Sequence, residues 1–110
     1  MDIMPESKNP AEMEWMDPPR NYYLSDVKEK VLHHNPETGF KIALVKTPIG
    51  VMDKLHKHTE ANQYVLRLTG EPMWGFGYWP KGEIHGGSNI KEETVALFIW
   101  DGTPKPEVVE

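Results

Sequence analysis

Glycine and proline interrupt this chain so often that no long regular element fits between them. Nine glycines and ten prolines are spread over the 110 residues. No window of about eleven residues keeps a helical period without one of these breakers. What remains is a series of short segments rich in β-branched and aromatic residues, separated by turn signals. That pattern predicts an all-β sandwich or barrel.

Four segments are predicted as strands, and three more are weaker candidates. The four are residues 40–46, 63–68, 74–79 and 94–100, and the weaker ones are residues 30–34, 51–58 and 82–85. Turn signals such as Asn35-Pro36 and Asp101-Gly102 lie between them. One helical hint covers residues 24–31, where Ser25 or Asp26 offers a cap.

The length fits one domain with short extensions. Residues 1–22 are predicted as an N-terminal arm, residues 23–104 as the β domain and residues 105–110 as a C-terminal tail that runs over the surface. Two alternatives stay open for the arm. It is a disordered leader, or Trp15 and Met16 pack on the domain or on a partner subunit.

Composition excludes several classes of function. Seventeen Asp and Glu against twelve Lys and Arg give a formal net charge of −5, which argues against a nucleic-acid partner. The absence of cysteine excludes disulfides, thiolate metal sites and cysteine nucleophiles. No apolar run approaches the ~18 residues of a membrane span, and the first residues show no secretory pattern. We therefore expect a cytoplasmic protein with no membrane partner.

Histidines carry the chemistry that the sequence suggests. His56 and His58 are two residues apart in a predicted strand, so their side chains share a face. Gln63 begins the next strand and His85 follows a turn, so an amide oxygen and a third imidazole could join the pair. This donor set suits a divalent transition metal such as Fe, Zn, Ni or Mn rather than Ca or Mg. A histidine pair taken alone also occurs by chance on exposed strands.

The spacing of other residues extends this pattern. One stretch of the chain resembles the first motif of the cupin family, G-x5-H-x-H-x4-E-x6-G. The matching residues are Gly50, His56, His58, Gln63 and Gly70, with Gln at the acidic position. The core of the second cupin motif, P-x-G-x2-H-x3-N, is resembled by Pro80, Gly82, His85 and Asn89. The chain thus resembles a small single-domain RmlC-like cupin over about residues 30 to 102.

This resemblance implies a small cupin-type β-barrel or jelly roll with a metal held inside. The implied ligands are His56, His58, Gln63 and His85. Cupins usually have about two further strands between the motifs, whereas the segment between residues 70 and 80 here is barely one hairpin. We therefore expect a barrel that is shortened or open, or completed by a partner chain.

The resemblance also implies an enzyme. A metal-dependent dioxygenase, isomerase or lyase acting on a small oxygen-rich molecule is expected, since cupins with three histidines include dioxygenases and sugar-acid enzymes. The neutral Gln63 leaves more positive charge on the metal than a carboxylate would, which favours Lewis-acid chemistry. Glu60, Glu83 and Tyr64 are the predicted proton carriers, although both carboxylates also fit solvated loop positions. The alternative function is a non-catalytic module that binds or senses a small ligand.

Aromatic residues are dense around the second motif, at positions 64, 74, 76, 78 and 79. They form either a wall of the pocket or ordinary core. A short barrel leaves strand edges that invite pairing with another copy, so a homodimer is predicted.

Overall fold

The structure, a computed structural model, describes residues 5–19, 26–50, 54–70, 73–86 and 91–109. Over these residues the chain is all-β with antiparallel pairing, as predicted, and no α-helix occurs among them. The strands are β1 (Lys28–His34), β2 (Lys41–Thr47), β3 (His56–His58), β4 (Gln63–Arg67), β5 (Phe76–Trp79), β6 (Thr94–Trp100) and β7 (Pro106–Val108). None of the described helical residues forms a segment capable of crossing a membrane.

The strands form two sheets. The larger has the order β1-β2-β6-β4-β5, and β3 pairs with β7 in the smaller. In the described part of the chain, these sheets do not close into one continuous barrel. Among the described residues between the two histidine motifs, β5 is the single strand, as the shortness of this segment predicts.

The four main predicted strands are present as β2, β4, β5 and β6, whereas the helical hint is wrong over its described portion. Residues 28–31 belong to β1, which pairs with β2 along its length. Pairing with a neighbouring strand outweighs a local capping signal, because propensity is a weak prior that tertiary context overrides. Ser25, one of its two proposed caps, and the predicted boundary at residue 22 lie outside the described residues.

The core lies on the inner face of the larger sheet. Ala43, Val45 and Trp100 are buried there and alternate with less buried neighbours along β2 and β6. This is the two-residue period of a strand with one face turned inward. The core also holds a buried ion pair, with Lys41 Nζ 2.8 Å from Glu29 Oε1.

The N-terminal arm packs on the outside of β1. Met16 and Glu29 exchange two backbone hydrogen bonds of 2.9 Å, so the arm covers part of the β1 edge. The indole of Trp15 has Lys30 Nζ at 4.6 Å and Lys46 Nζ at 4.7 Å from its ring centroid. Both are cation–π distances. Trp15 thus packs on the domain through its ring, and Met16 pairs with it through its backbone while its side chain is exposed, which agrees with one of the two alternatives for the arm.

The C-terminal segment does more than run over the surface. Residues Pro106–Val108 form β7, which pairs with the histidine strand β3 in an antiparallel register. Pro106 begins this strand, a position that proline tolerates because an edge strand need not donate there. The tail therefore lines one side of β3.

Candidate metal centre

Strand β3 and residue 85 bring three imidazoles together. His56 and His58 are both buried in the short strand β3. A backbone bridge holds His85 beside His56, since His56 N donates to His85 O at 2.9 Å and His85 N donates to His56 O at 2.8 Å. The ring centroids lie 4.3 to 5.2 Å apart. One ligand nitrogen from each ring lies within 4.8 Å of the others.

Backbone carbonyls set the tautomer of two of these imidazoles. Nδ1 of His56 is 2.7 Å from the carbonyl oxygen of Lys54, and Nδ1 of His85 is 3.1 Å from that of Glu83. A carbonyl can only accept, so each Nδ1 carries the proton and each Nε2 carries the lone pair. This is the arrangement that outer groups impose on metal-ligating histidines.

The third imidazole is neutral and buried. Burial, followed by the nearby rings of His85 and His56, lowers the pKa of His58 from its ordinary 6.5 to about 3. Its Nδ1 is buried without a hydrogen-bond partner among the described residues. Leaving such a group unsatisfied costs about 1–3 kcal/mol. Neutral imidazoles are good ligands for a divalent transition metal, so the donor set fits such an ion.

Gly86 allows the two histidine segments to approach each other. A Cβ at this position would lie 2.6 Å from the Lys54 carbonyl oxygen and 3.2 Å from His56 Nδ1. The residue also has a φ of +103°, which favours glycine. Any other residue here would push against the carbonyl that orients His56.

Gln63, the fourth predicted ligand, lies buried at the start of β4. Its Oε1 accepts a hydrogen bond of 2.9 Å from Trp100 Nε1. An amide oxygen has two lone pairs, so this bond is compatible with a second interaction. The role of Gln63 as a metal ligand stays a prediction.

The histidine group does not include the three predicted proton carriers. The Glu60 carboxylate is half exposed and 3.7 Å from Lys105 Nζ. Glu83 is exposed and meets His85 through its backbone carbonyl. Tyr64 follows the inward Gln63 in β4 and so points to the opposite face, where it stacks on Tyr78 at 5.0 Å between centroids. Their catalytic roles stay predictions.

Among the aromatic residues near the second motif, Trp79 reaches the site. Its ring centroid is 5.4 Å from that of His85, with the planes tilted by 34°. Trp74, Phe76 and Tyr78 are exposed. Of these four residues, Trp79 is therefore the one that contacts the histidine group, and its role as a pocket wall stays a prediction.

Asn62 and Asp101, neither of which is a predicted site residue, stabilise the turn that leads to His85. Asn62 donates from its backbone N and from Nδ2 to the Asp101 carboxylate, each at 2.8 Å. Asn62 Oδ1 in turn accepts from Lys81 N at 2.8 Å. Gly82 N donates to His58 O at 2.9 Å and ties the same turn to β3. The only sequence signal for these contacts is an Asn before one strand and an Asp after another.

The sequence matches no protein family and no curated protein in direct comparison. Solved structures do match. A protein provisionally named an acetylacetone dioxygenase, from Methylibium petroleiphilum PM1, is 19% identical over 100% of this chain and 84% of its own, with a TM-score of 0.72. An RmlC-like cupin protein from Ralstonia eutropha JMP134 is 21% identical over 91% of this chain and 70% of its own, with a TM-score of 0.72.

A third similar structure is the DMSP lyase DddQ from Ruegeria pomeroyi DSS-3. It is 18% identical over 90% of this chain and 62% of its own, with a TM-score of 0.65. At these identities the likeness shows the fold, because one fold supports many activities. The two antiparallel sheets, the grouped histidines and these neighbours agree: the chain has the fold of a small cupin domain.

Proposed function

We propose that this chain is a metal-dependent enzyme acting on a small oxygen-rich substrate. The observation that carries the proposal is the group formed by His56, His58 and His85, whose ligand nitrogens lie within 4.8 Å of one another. Catalytic metal sites typically have three protein ligands and keep one coordination position for substrate, whereas structural sites are closed by protein ligands. A divalent transition metal, when bound, would supply a Lewis acid and, in the case of Fe(II), redox chemistry with oxygen.

The residues around the histidines prepare this site. The carbonyls of Lys54 and Glu83 hold two imidazoles in the ligating tautomer. Burial keeps His58 neutral. The indole of Trp79 lies beside the His85 ring, with 5.4 Å between the ring centroids. The chain thus holds its donor groups ready before an ion arrives, which lowers the entropic cost of binding.

Among reaction classes, we favour dioxygenation of a small 1,3-dicarbonyl compound. The histidine group includes no carboxylate among the described residues, so an ion bound there would keep its full positive charge. An anionic substrate with two oxygens, such as the deprotonated enolate of a diketone, complements that charge. The similar structure named for acetylacetone covers the whole of this chain, which supports the same choice.

One observation favours the second candidate, a non-catalytic module that binds a small ligand. The predicted proton carriers Glu60, Glu83 and Tyr64 all lie outside the histidine group. An enzyme that moves a proton needs a group within hydrogen-bond reach of it. Substrate turnover by the metal-loaded protein would distinguish the enzyme from the binding module.

The test begins with the metal. We expect protein purified without chelator, or reloaded with Fe(II), Mn, Ni or Zn, to hold about one equivalent of metal per chain. The His58→Ala variant should hold less than ~0.2 equivalents of metal. His33→Ala is the matched control, since His33 lies in β1 and contacts Glu6 instead. Oxygen uptake with acetylacetone then tests the reaction. Wild-type protein that stays below ~0.2 equivalents after reloading would contradict the proposal.

The homodimer, the cytoplasmic location and the absence of nucleic-acid and membrane partners stay predictions. In the described chain β5 is an edge of the larger sheet and exposes Phe76 and Tyr78. Such an edge favours pairing with a second copy. Light scattering at tens of micromolar should give twice the monomer mass, and a monomer mass would refute the homodimer.

A further inference from the structure

We propose that Trp79 is a positioning residue for the metal ligand His85, and that Gly77 makes its position possible. The inference rests on the proposed function, because His85 is assigned there as a ligand. It concerns a contact between a strand of the larger sheet and the segment that delivers the third histidine.

The strand register turns Trp79 toward the site. Trp79 lies opposite Gln63 in the β4–β5 pair, and Gly77 lies opposite Val65. Residues 77 and 79 therefore share the inner face with the buried Gln63, because strand side chains alternate between faces. Phe76 and its neighbour at 78 occupy the outer face, where both are exposed.

The indole of Trp79 folds back over Gly77. A Cβ at position 77 would lie 2.3 Å from Cη2 and 2.5 Å from Cζ3 of Trp79, far inside a van der Waals contact. Gly77 is not among the glycines with positive φ, so its backbone does not require glycine. The requirement comes from the space that the far edge of the indole occupies.

Among the three histidines of the group, His85 has the side chain that burial restricts least. It is half-buried, whereas His56 and His58 are buried. Its ring is 5.1 Å from the His58 ring, with planes 21° apart, and 5.4 Å from the Trp79 ring. The backbone bridge to His56 fixes the main chain at residue 85, and the Glu83 carbonyl contacts the ring at Nδ1. Packing against neighbouring rings adds to what holds the imidazole in place. Trp79 is the aromatic neighbour of His85 that comes from the larger sheet.

Removing this neighbour should weaken metal binding without removing a ligand. A less restricted His85 ring loses more rotamer freedom when it coordinates an ion, so binding costs more entropy. Residues that orient metal ligands typically contribute 10–100-fold to affinity. A packing contact without a hydrogen bond belongs at the low end of that range.

The experiment titrates the full-length protein with Co²⁺ and follows the d–d absorption as well as the dissociation constant. We expect Trp79→Leu and Gly77→Ala each to weaken Co²⁺ binding by about 10-fold and to change the d–d band, since both disturb the ligand geometry. Trp79→Phe keeps an aromatic ring and should restore affinity to within about 3-fold. Phe76→Leu, on the outer face of the same strand, is the matched control and should bind as wild type.

A double-mutant cycle tests the link between the two positions. If Gly77 acts through Trp79, then Gly77→Ala should cause no further loss in the Trp79→Leu background. Additive losses would overturn the role of Gly77. Thermal unfolding of each variant shows that it is folded, and Gly77→Ala carries the test if Trp79→Leu does not fold.

The outcomes separate this inference from the proposed function. If wild type binds Co²⁺ and His85→Ala weakens binding, while Trp79→Leu has wild-type affinity and spectrum, the positioning role is wrong and the metal site stands. If wild type binds no Co²⁺, both are wrong.

Discussion

Glu29 and Lys41 form the most demanding polar contact in the core. Their side chains are only 5% and 3% exposed, and Lys41 Nζ also lies 5.9 Å from the ring centroid of Trp100. Removing two charges from water costs several kcal/mol per ion, which their attraction must offset. Each charge is therefore stabilised by the other.

We predict that Lys41→Met lowers the free energy of unfolding by about 3–5 kcal/mol, because it leaves the Glu29 carboxylate buried without its cation. The double variant Glu29→Leu/Lys41→Met should recover most of that loss. Urea unfolding measures both. The control is Lys105→Met at the exposed Glu60 contact, where a loss of less than ~1 kcal/mol is expected. A similarly small loss for Lys41→Met would show that the buried pair is dispensable.

The neutral state of His58 gives a second prediction, for the metal-free protein. Its pKa is about 3 in the folded state, against the ordinary histidine pKa of 6.5 that applies in the unfolded chain. Between these values the unfolded chain binds one more proton than the folded chain. Stability should therefore be full above pH 6.5 and fall as pH drops, by up to about 1.4 kcal/mol per pH unit from this group.

Urea unfolding in chelator measures this slope between about pH 5.5 and 6.5, above the range in which most carboxylates titrate. His58→Gln removes the titrating group and should flatten the slope relative to wild type. Equal slopes in the two proteins would mean that His58 takes up its proton in the folded state as readily as in the unfolded one.

At the level of strands, β3 depends on partners that come from distant parts of the sequence. It has only three residues, with β7 on one side and with His85 and Gly82 hydrogen-bonded to it as well. A strand this short has little local preference for extended structure, so its neighbours maintain it. The C-terminal segment is thus part of the support for two of the three histidines.

We predict that deleting residues 105–110 weakens Co²⁺ binding by about 10-fold, because β3 loses one of its backbone partners and its histidines become less ordered. The titration described for Trp79 measures it. Glu107→Ala, which changes an exposed side chain and keeps the pairing, is the control and should bind as wild type. A truncated chain with unchanged affinity would show that β3 is held without β7.

The strands also show where sequence patterns succeed. β2 and β6 are predicted because each is a short, mostly apolar run rich in β-branched or aromatic residues, with turn signals such as Asn35-Pro36 before β2 and Asp101-Gly102 after β6. β7 is not predicted, since a three-residue segment beginning with proline carries almost no local signal. The hint of a helix over residues 24–31 is wrong in its described part for the opposite reason, because pairing with β2 outweighs the local signal at residues 28–31.

For the molecule as a whole, a bound ion would join β3 to the segment carrying His85, two regions that the unfolded chain does not hold together. Zn²⁺ at about 100 times its dissociation constant should therefore raise the free energy of unfolding by about 2.7 kcal/mol. Thermal unfolding with and without chelator measures the effect. His58→Ala should show no shift, and an equal shift in that variant would indicate binding elsewhere.

The sequence alone was sufficient to predict the all-β class and the shared face of His56 and His58. It also indicated the kind of ion that such a pair would suit, a divalent transition metal. These are local properties, set by the two-residue period of a strand and by side-chain type. Three results came only from the folded chain: the bridge that brings His85 to the pair, the selection of Trp79 among its aromatic neighbours, and the placement of the predicted proton carriers outside the group. Each depends on which distant strands pair and in which register, and the pairing energy is shared over the whole sheet rather than encoded in any one segment.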